Sequence, residues 1–72
     1  MMRIEEALKA ISGEEFINAR KLARKLNITT REAGRILKKL NDLGYLKIYR
    51  KRKGRFTIYR PANQVFHKFV ET

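Results

Sequence analysis

Residues Thr29 to Arg60 read TTREAGRILKKLNDLGYLKIYRKRKGRFTIYR, and the fold turns on how this stretch divides. Its first half, TTREAGRILKKLNDL, has the apolar spacing of a helix, with Ala33, Ile36, Leu37 and Leu40 on one stripe. Thr29-Thr30-Arg31-Glu32 is a capping box. The Thr29 hydroxyl is expected to accept from the Glu32 amide, and the Glu32 carboxylate to reach back to the Thr29 amide. Gly44 is the stop. After it the period changes from 3.6 to 2. Leu46 and Ile48 alternate with Tyr45, Lys47 and Tyr49, and Phe56 and Ile58 alternate with Thr57 and Tyr59. Two strands, YLKIYR and RFTIYR, are therefore expected, joined by KRKG with Lys53-Gly54 in the turn. Pro61 ends the second.

Working back toward the N-terminus, Ile4, Ala7, Leu8 and Ile11 mark a first helix that Ser12-Gly13 closes. Glu14 to Ile17 suits a short extended piece, with Phe16 and Ile17 entering the core. Asn18 is the expected N-cap of a second helix. There Ala19, Leu22, Ala23 and Leu26 face inward and Arg20, Lys21, Arg24 and Lys25 outward. Asn27-Ile28 breaks the pattern, with Ile28 plugging the turn. So tight a turn forces the second and third helices against each other, a helix-turn-helix. The expected class is mainly α with a small antiparallel β-hairpin. Residues 1–61 form the domain. Residues 62–72 form a C-terminal apolar segment, read as helical, with Val65, Phe66, Phe69 and Val70 on one side, packing on the first helix or on a second copy.

Composition narrows the function. The stretch 29–60 holds eleven of the eighteen Lys and Arg residues against two acids, Glu32 and Asp42, and so carries a net +9 of the chain's +11. A surface that merely solvates a domain mixes both signs; this half does not. Arg50, Lys51, Arg52, Lys53 and Arg55, with Lys47 nearby, repel one another unless an anion joins them. A polyanion with grooves is the expected partner, and nucleic acid fits best. With 72 residues the chain buries only about 60% of its unfolded surface. It has no cysteine to staple it, which makes oligomerisation a natural aid. Hydrophobic residues at 43% argue for a core and against a disordered basic tail. Abundant Lys, Arg, Glu and Ile give a thermophile-like composition. No apolar run approaches the ~18 residues of a membrane span, and no leader pattern opens the chain, so a cytoplasmic protein is expected, nucleoid-associated if prokaryotic.

Catalysis finds no support in the residue inventory. Ser12, Asp42 and His67 are the single Ser, Asp and His, and they are scattered. Glu5-Glu6 and Glu14-Glu15 are adjacent pairs whose members diverge, and Glu14-Glu15 suits the positive N-terminus of the second helix. Neither a catalytic order nor a metal spacing emerges, so no enzyme activity, metal or cofactor is expected. His67, beside Phe66 and Phe69, reads as a packing or surface residue. Tyr45, Tyr49 and Tyr59 are expected to be strand-formers covering the core edge, in preference to stacking platforms for single-stranded bases.

The order helix, turn, helix, hairpin, with Leu40-x-x-Leu43-Gly44-Tyr45-Leu46 at the junction, resembles the winged helix-turn-helix family over roughly Phe16 to Pro61. That resemblance implies a third helix lying in the major groove of double-stranded DNA. Thr30, Arg31, Gly34, Arg35 and Lys38 would then face base edges. Arg31 and Arg35, one turn apart, carry the fork that matches guanine. Gly34, which costs about 1 kcal/mol of helix propensity relative to Ala, would permit close approach to DNA or to the second helix. Arg20, Lys21, Arg24 and Lys39 would meet phosphates, while the wing residues Arg50, Lys51, Arg52, Lys53 and Arg55 would meet flanking backbone or the minor groove. Members of this family bind DNA, RNA or proteins. The chain is also similar to a small-subunit ribosomal winged-helix protein of archaea and eukaryotes, through Phe16-Ile17-Asn18, Leu26-Asn27-Ile28, Ala33-Gly34-Arg35, Leu37, Leu40, Gly44, Lys47 and Ile58-Tyr59. The expectation is a sequence-specific, DNA-binding transcriptional regulator acting as a homodimer. An RNA-binding ribosomal-type protein, a non-specific DNA binder and a protein-interaction module are the alternatives.

Overall fold

The computed structural model describes residues 3–53 and 56–62. Three helices, α1 (Ile4–Ile11), α2 (Ala19–Leu26) and α3 (Thr30–Asp42), precede two strands, β1 (Leu46–Arg50) and β2 (Ile58–Pro61). The expected C-terminal helix with Val65, Phe66, Phe69 and Val70, the side chain of His67, and the turn residues Gly54 and Arg55 lie outside the described residues.

Each helix buries the stripe its sequence marks: Ala7, Leu8 and Ile11 from α1, Ala19, Leu22 and Ala23 from α2, and Ala33, Ile36, Leu37 and Leu40 from α3. Leu26 and Ile28 pack half-buried at the rim of this core. The caps form as the residues suggest. Asn18 accepts from the Lys21 amide at 2.9 Å, and Thr29 accepts from the Glu32 amide at 3.0 Å. The capping box closes differently from expectation: the Glu32 carboxylate accepts from the Thr29 hydroxyl at 3.2 Å, not from its amide. One hydroxyl thus serves as both acceptor and donor. Between α2 and α3, Asn27 takes the left-handed conformation at φ 56°, which a short polar residue tolerates. The Ile28 amide then returns to the Ala23 carbonyl at 3.0 Å.

At the junction Gly44 adopts φ +89°, where a residue with a Cβ is strained, and the Tyr45 amide bonds back to Leu40 at 2.9 Å. The chain can therefore leave α3 and enter β1 directly. β1 and β2 pair antiparallel. Ile17 joins the far side of β2, exchanging both backbone bonds with Tyr59 at 3.0 and 2.9 Å. The sheet order is Ile17, β2, β1.

Three expectations about this sheet change. Phe16 does not enter the core; it is half-buried, because its neighbour Ile17 takes the inward place and successive strand residues alternate sides. β2 starts at Ile58, and Phe56 lies outside it, 53% exposed. The inward positions of the second run are Thr57, buried, and Tyr59, packed on the core, in place of Phe56 and Ile58. The cause is register. Ile48 pairs with Tyr59, so Tyr59 shares its side and Ile58 takes the other; beyond that pair Arg50 meets Ile58, which leaves Tyr49 as an extra residue in a bulge. A period-2 reading of each strand alone contains no signal for that insertion.

Candidate nucleic-acid interface

α3 and the hairpin form the two walls of an open cleft of about 450 Å³. The α3 wall comprises Thr30, Arg31, Gly34, Arg35 and Lys38, which recur along one helix face. The opposite wall comprises Ile48, Lys51, Arg52, Thr57 and Tyr59, and Ala19 and Leu37 form the floor. All five residues expected to face bases therefore meet in one place. Arg31, Arg35 and Lys38 are exposed, whereas Thr30 and Gly34 are half-buried.

The cleft is electrostatically one-sided. It holds five cations, Arg31, Arg35, Lys38, Lys51 and Arg52, and no acid. Among the described residues the ion pairs are Arg3–Glu6, Glu14–Lys21 and Glu14–Lys25, so none of these five cations is neutralised there. Five like charges on two facing walls raise the local concentration of anions.

The remaining basic residues are distributed around this centre. Lys39 is exposed on α3 but does not line the cleft. Arg50 and Lys53 are exposed along the wing, and Arg20 and Arg24 on α2. Arg55 lies outside the described residues. Lys21 is exposed yet committed. Its ammonium sits 2.6 Å from Glu14, whose other carboxylate oxygen meets Lys25 at 2.8 Å. Hydrogen bonds from Lys21 and then Lys25 hold the Glu14 carboxyl at about 2, well below its ordinary value. Glu14 thus clamps the outer side of α2 over more than a turn, beyond the expected helix-dipole role.

Thr57 was not expected at this site. Its hydroxyl donates to the Arg52 carbonyl at 2.7 Å and accepts from the Arg52 amide at 3.3 Å. This closes the base of the wing turn and holds the chain that carries Lys51, Arg52 and Lys53. The Phe56 amide adds a bond to the Lys53 carbonyl at 3.2 Å. A lone threonine between Phe56 and Ile58 was the available signal, but a hydroxyl facing its own turn looks no different in sequence from a β-branched strand residue. Ile48 and Tyr59 were likewise missed as cleft residues, because their wall exists only once the two strands pair Ile48 with Tyr59. Burial pushes the Tyr59 phenol above its ordinary value, and Asp42 adds to the shift, so the ring meets the cleft as a neutral group.

No metal-binding cluster of His, Cys, Asp or Glu occurs among the described residues, and no helix there is long and apolar enough to cross a membrane. No family model matches the chain, and no curated protein matches it in sequence. Among solved structures the chain is similar to the crystal structure of the transcriptional regulator PA4135. The TM-score is 0.69 and the identity 14% over 99% of this chain. The chain spans 53% of that protein's length. A likeness at this identity speaks to architecture, and it agrees with the element order, the tight α2–α3 turn and the antiparallel hairpin: the chain has the winged helix-turn-helix fold.

Proposed function

We propose that this chain binds double-stranded DNA as a small transcriptional regulator, with α3 in the major groove and the wing on flanking backbone or minor groove. The observation that carries this reading is the cleft itself: five unneutralised cations on two walls, three of them on the exposed face of the helix that follows a tight turn. Arg31 and Arg35 supply forked donors at the helix's N-terminal half, where base edges are met. Lys51, Arg52, Lys53 and Arg55 act as general phosphate contacts, with Arg20, Arg24 and Lys39 at the periphery. Lys21 contributes least, since Glu14 already holds it. The structural neighbour is a transcriptional regulator, which supports the same reading.

Two copies of the chain, joined through the C-terminal segment and α1, would present two α3 helices about 34 Å apart, one turn of DNA. Sedimentation at micromolar concentration checks this part, and a monomer there would remove it.

The test is fluorescence anisotropy against the DNA upstream of the protein's own coding sequence, a random duplex and a structured RNA, each at two salt concentrations. Tighter binding to the upstream DNA that survives higher salt is expected. With about six cations on phosphates, the log-log salt slope should lie near −5. Preference for the RNA would overturn the DNA reading and favour the ribosomal type. Equal binding to both duplexes would overturn sequence specificity.

A further inference from the structure

The sheet has a second charged surface, on the side away from the core, that a duplex on α3 and the wing leaves unused. Ile17 is buried, so Phe16 emerges on the opposite side. Its ring meets that of Tyr49, with centroids 4.6 Å apart and planes inclined by 55°. The Arg60 guanidinium lies 5.7 Å from the Phe16 ring centroid. Lys47 is the cross-strand partner of Arg60, so both project from this same face, and both are exposed. No ion pair among the described residues engages either of them.

Tyr49 differs from the other tyrosines of the chain. Tyr45, just before β1, and Tyr59, within β2, pack partly buried against the core. Tyr49 is the bulged residue and is 51% exposed. It follows the cleft-facing Ile48 and shares the side of Lys47, so alternation directs its phenol ring outward, backed by a second ring and accompanied by two cations. Binding of unpaired nucleic acid needs these two components: a π-face for a base and cations for the backbone beside it. A duplex cannot use the ring, because its bases are already stacked. An acidic protein would use the cations but would gain little from the ring.

We infer that the outer face of the sheet, centred on Tyr49 and Phe16 with Lys47 and Arg60, is a second nucleic-acid site that takes an unpaired base against Tyr49 and its neighbouring phosphates against the two cations. The site does not depend on duplex binding by α3. The chemistry is shared by single-stranded DNA and RNA.

The experiment measures binding of the full chain to labelled oligothymidylate, oligouridylate and a random duplex, in wild type and variants. Tyr49→Ala should weaken single-strand binding about tenfold, within the range of ~1–3 kcal/mol per stacked base, and change duplex binding less than twofold. Tyr49→Phe, which keeps the ring, should restore it. A Lys47→Gln, Arg60→Gln double variant, which leaves both rings in place, should flatten the single-strand salt slope by about 1.4. Stronger binding of one oligomer supports the site and identifies its source as DNA or RNA. The inference is overturned if wild type binds neither oligomer, if Tyr49→Ala changes single-strand binding less than twofold, or if it lowers duplex binding equally. Failure of wild type to bind the duplex would overturn the α3 reading alone, since the single-strand arms are measured separately.

Discussion

Thr57 and Arg52 are joined by two hydrogen bonds through one hydroxyl, which donates to the carbonyl at 2.7 Å and accepts from the amide at 3.3 Å. Thr57 is only 6% exposed, and it is the polar residue buried within the described part of the chain. It immediately precedes β2, and its hydroxyl satisfies the turn. The wing is thereby tied to the sheet at the point where its basic residues begin. Thr57→Val keeps the shape but removes the hydroxyl, leaving the Arg52 backbone groups without this partner. We expect a loss of about 1–3 kcal/mol, so a melting temperature lower by at least about 4 °C. Amide exchange at Arg52 should quicken, and Thr57→Ser should retain most of the wild-type behaviour. Unchanged melting and exchange in Thr57→Val would show that the turn holds without the hydroxyl.

Gly34 offers a separation of stability from binding. A Cβ placed there would lie 4.0 Å from the Cβ of Ala19, an ordinary van der Waals contact. Packing against α2 therefore does not require glycine, and one of the two reasons for keeping it disappears. Gly34→Ala should stabilise the fold by about 1 kcal/mol through helix propensity, raising the melting temperature by about 4–8 °C. If α3 approaches DNA at this residue, the same methyl should weaken duplex binding by about tenfold, or ~1.4 kcal/mol. Gel-shift titrations read this directly, and a stabilised variant with wild-type affinity would place Gly34 away from the DNA.

Arg35 and Lys53 both carry charge near the cleft, but they should fail differently. Arg35→Ala should relax preference at particular base pairs, at about 1–3 kcal/mol for the lost pairing. Lys53→Ala should weaken all sequences alike and flatten the salt slope by about one unit. Binding to a panel of single-base operator variants distinguishes the two. Equal, sequence-blind losses from both substitutions would remove the base-reading role of Arg35.

Glu14 predicts a pH dependence whose sign follows from its partners. Lys21 and Lys25 hold its folded-state carboxyl at about 2, below the ordinary 4.5. The folded state therefore favours the ionised form, and the stabilisation is fully present above about pH 4.5. It fades as pH falls toward 2. Melting curves of wild type and Glu14→Gln should differ above pH 5 and converge in acid. A constant difference down to pH 2 would mean that the Glu14 carboxyl is not held by the two lysines. Glu14→Gln also releases Lys21, which should slightly strengthen duplex binding at low salt.

Much of this fold was legible because its helices are short and sharply amphipathic. The stripes Ile4–Ile11, Ala19–Leu26 and Ala33–Leu40, the Asn18 and Thr29 caps and the glycine stop at Gly44 depend on neighbours a few residues away, so local spacing carries them. The clustering of cations on α3 and the hairpin follows from the same local order. Other features depend on contacts between distant segments. The pairing of Ile17 with Tyr59 places Phe16 outside the core. The pairing of Ile48 with Tyr59 puts both on the cleft side of the sheet and leaves Ile58 on the other, and the bulge between Ile48 and Arg50 leaves Tyr49 without a cross-strand partner. Strand register is a relation between two chains of alternating residues, and either register satisfies a period of 2 in each strand taken alone. Which residues of the wing face the cleft, and which stand on the outer face of the sheet, was therefore decided only when the strands met.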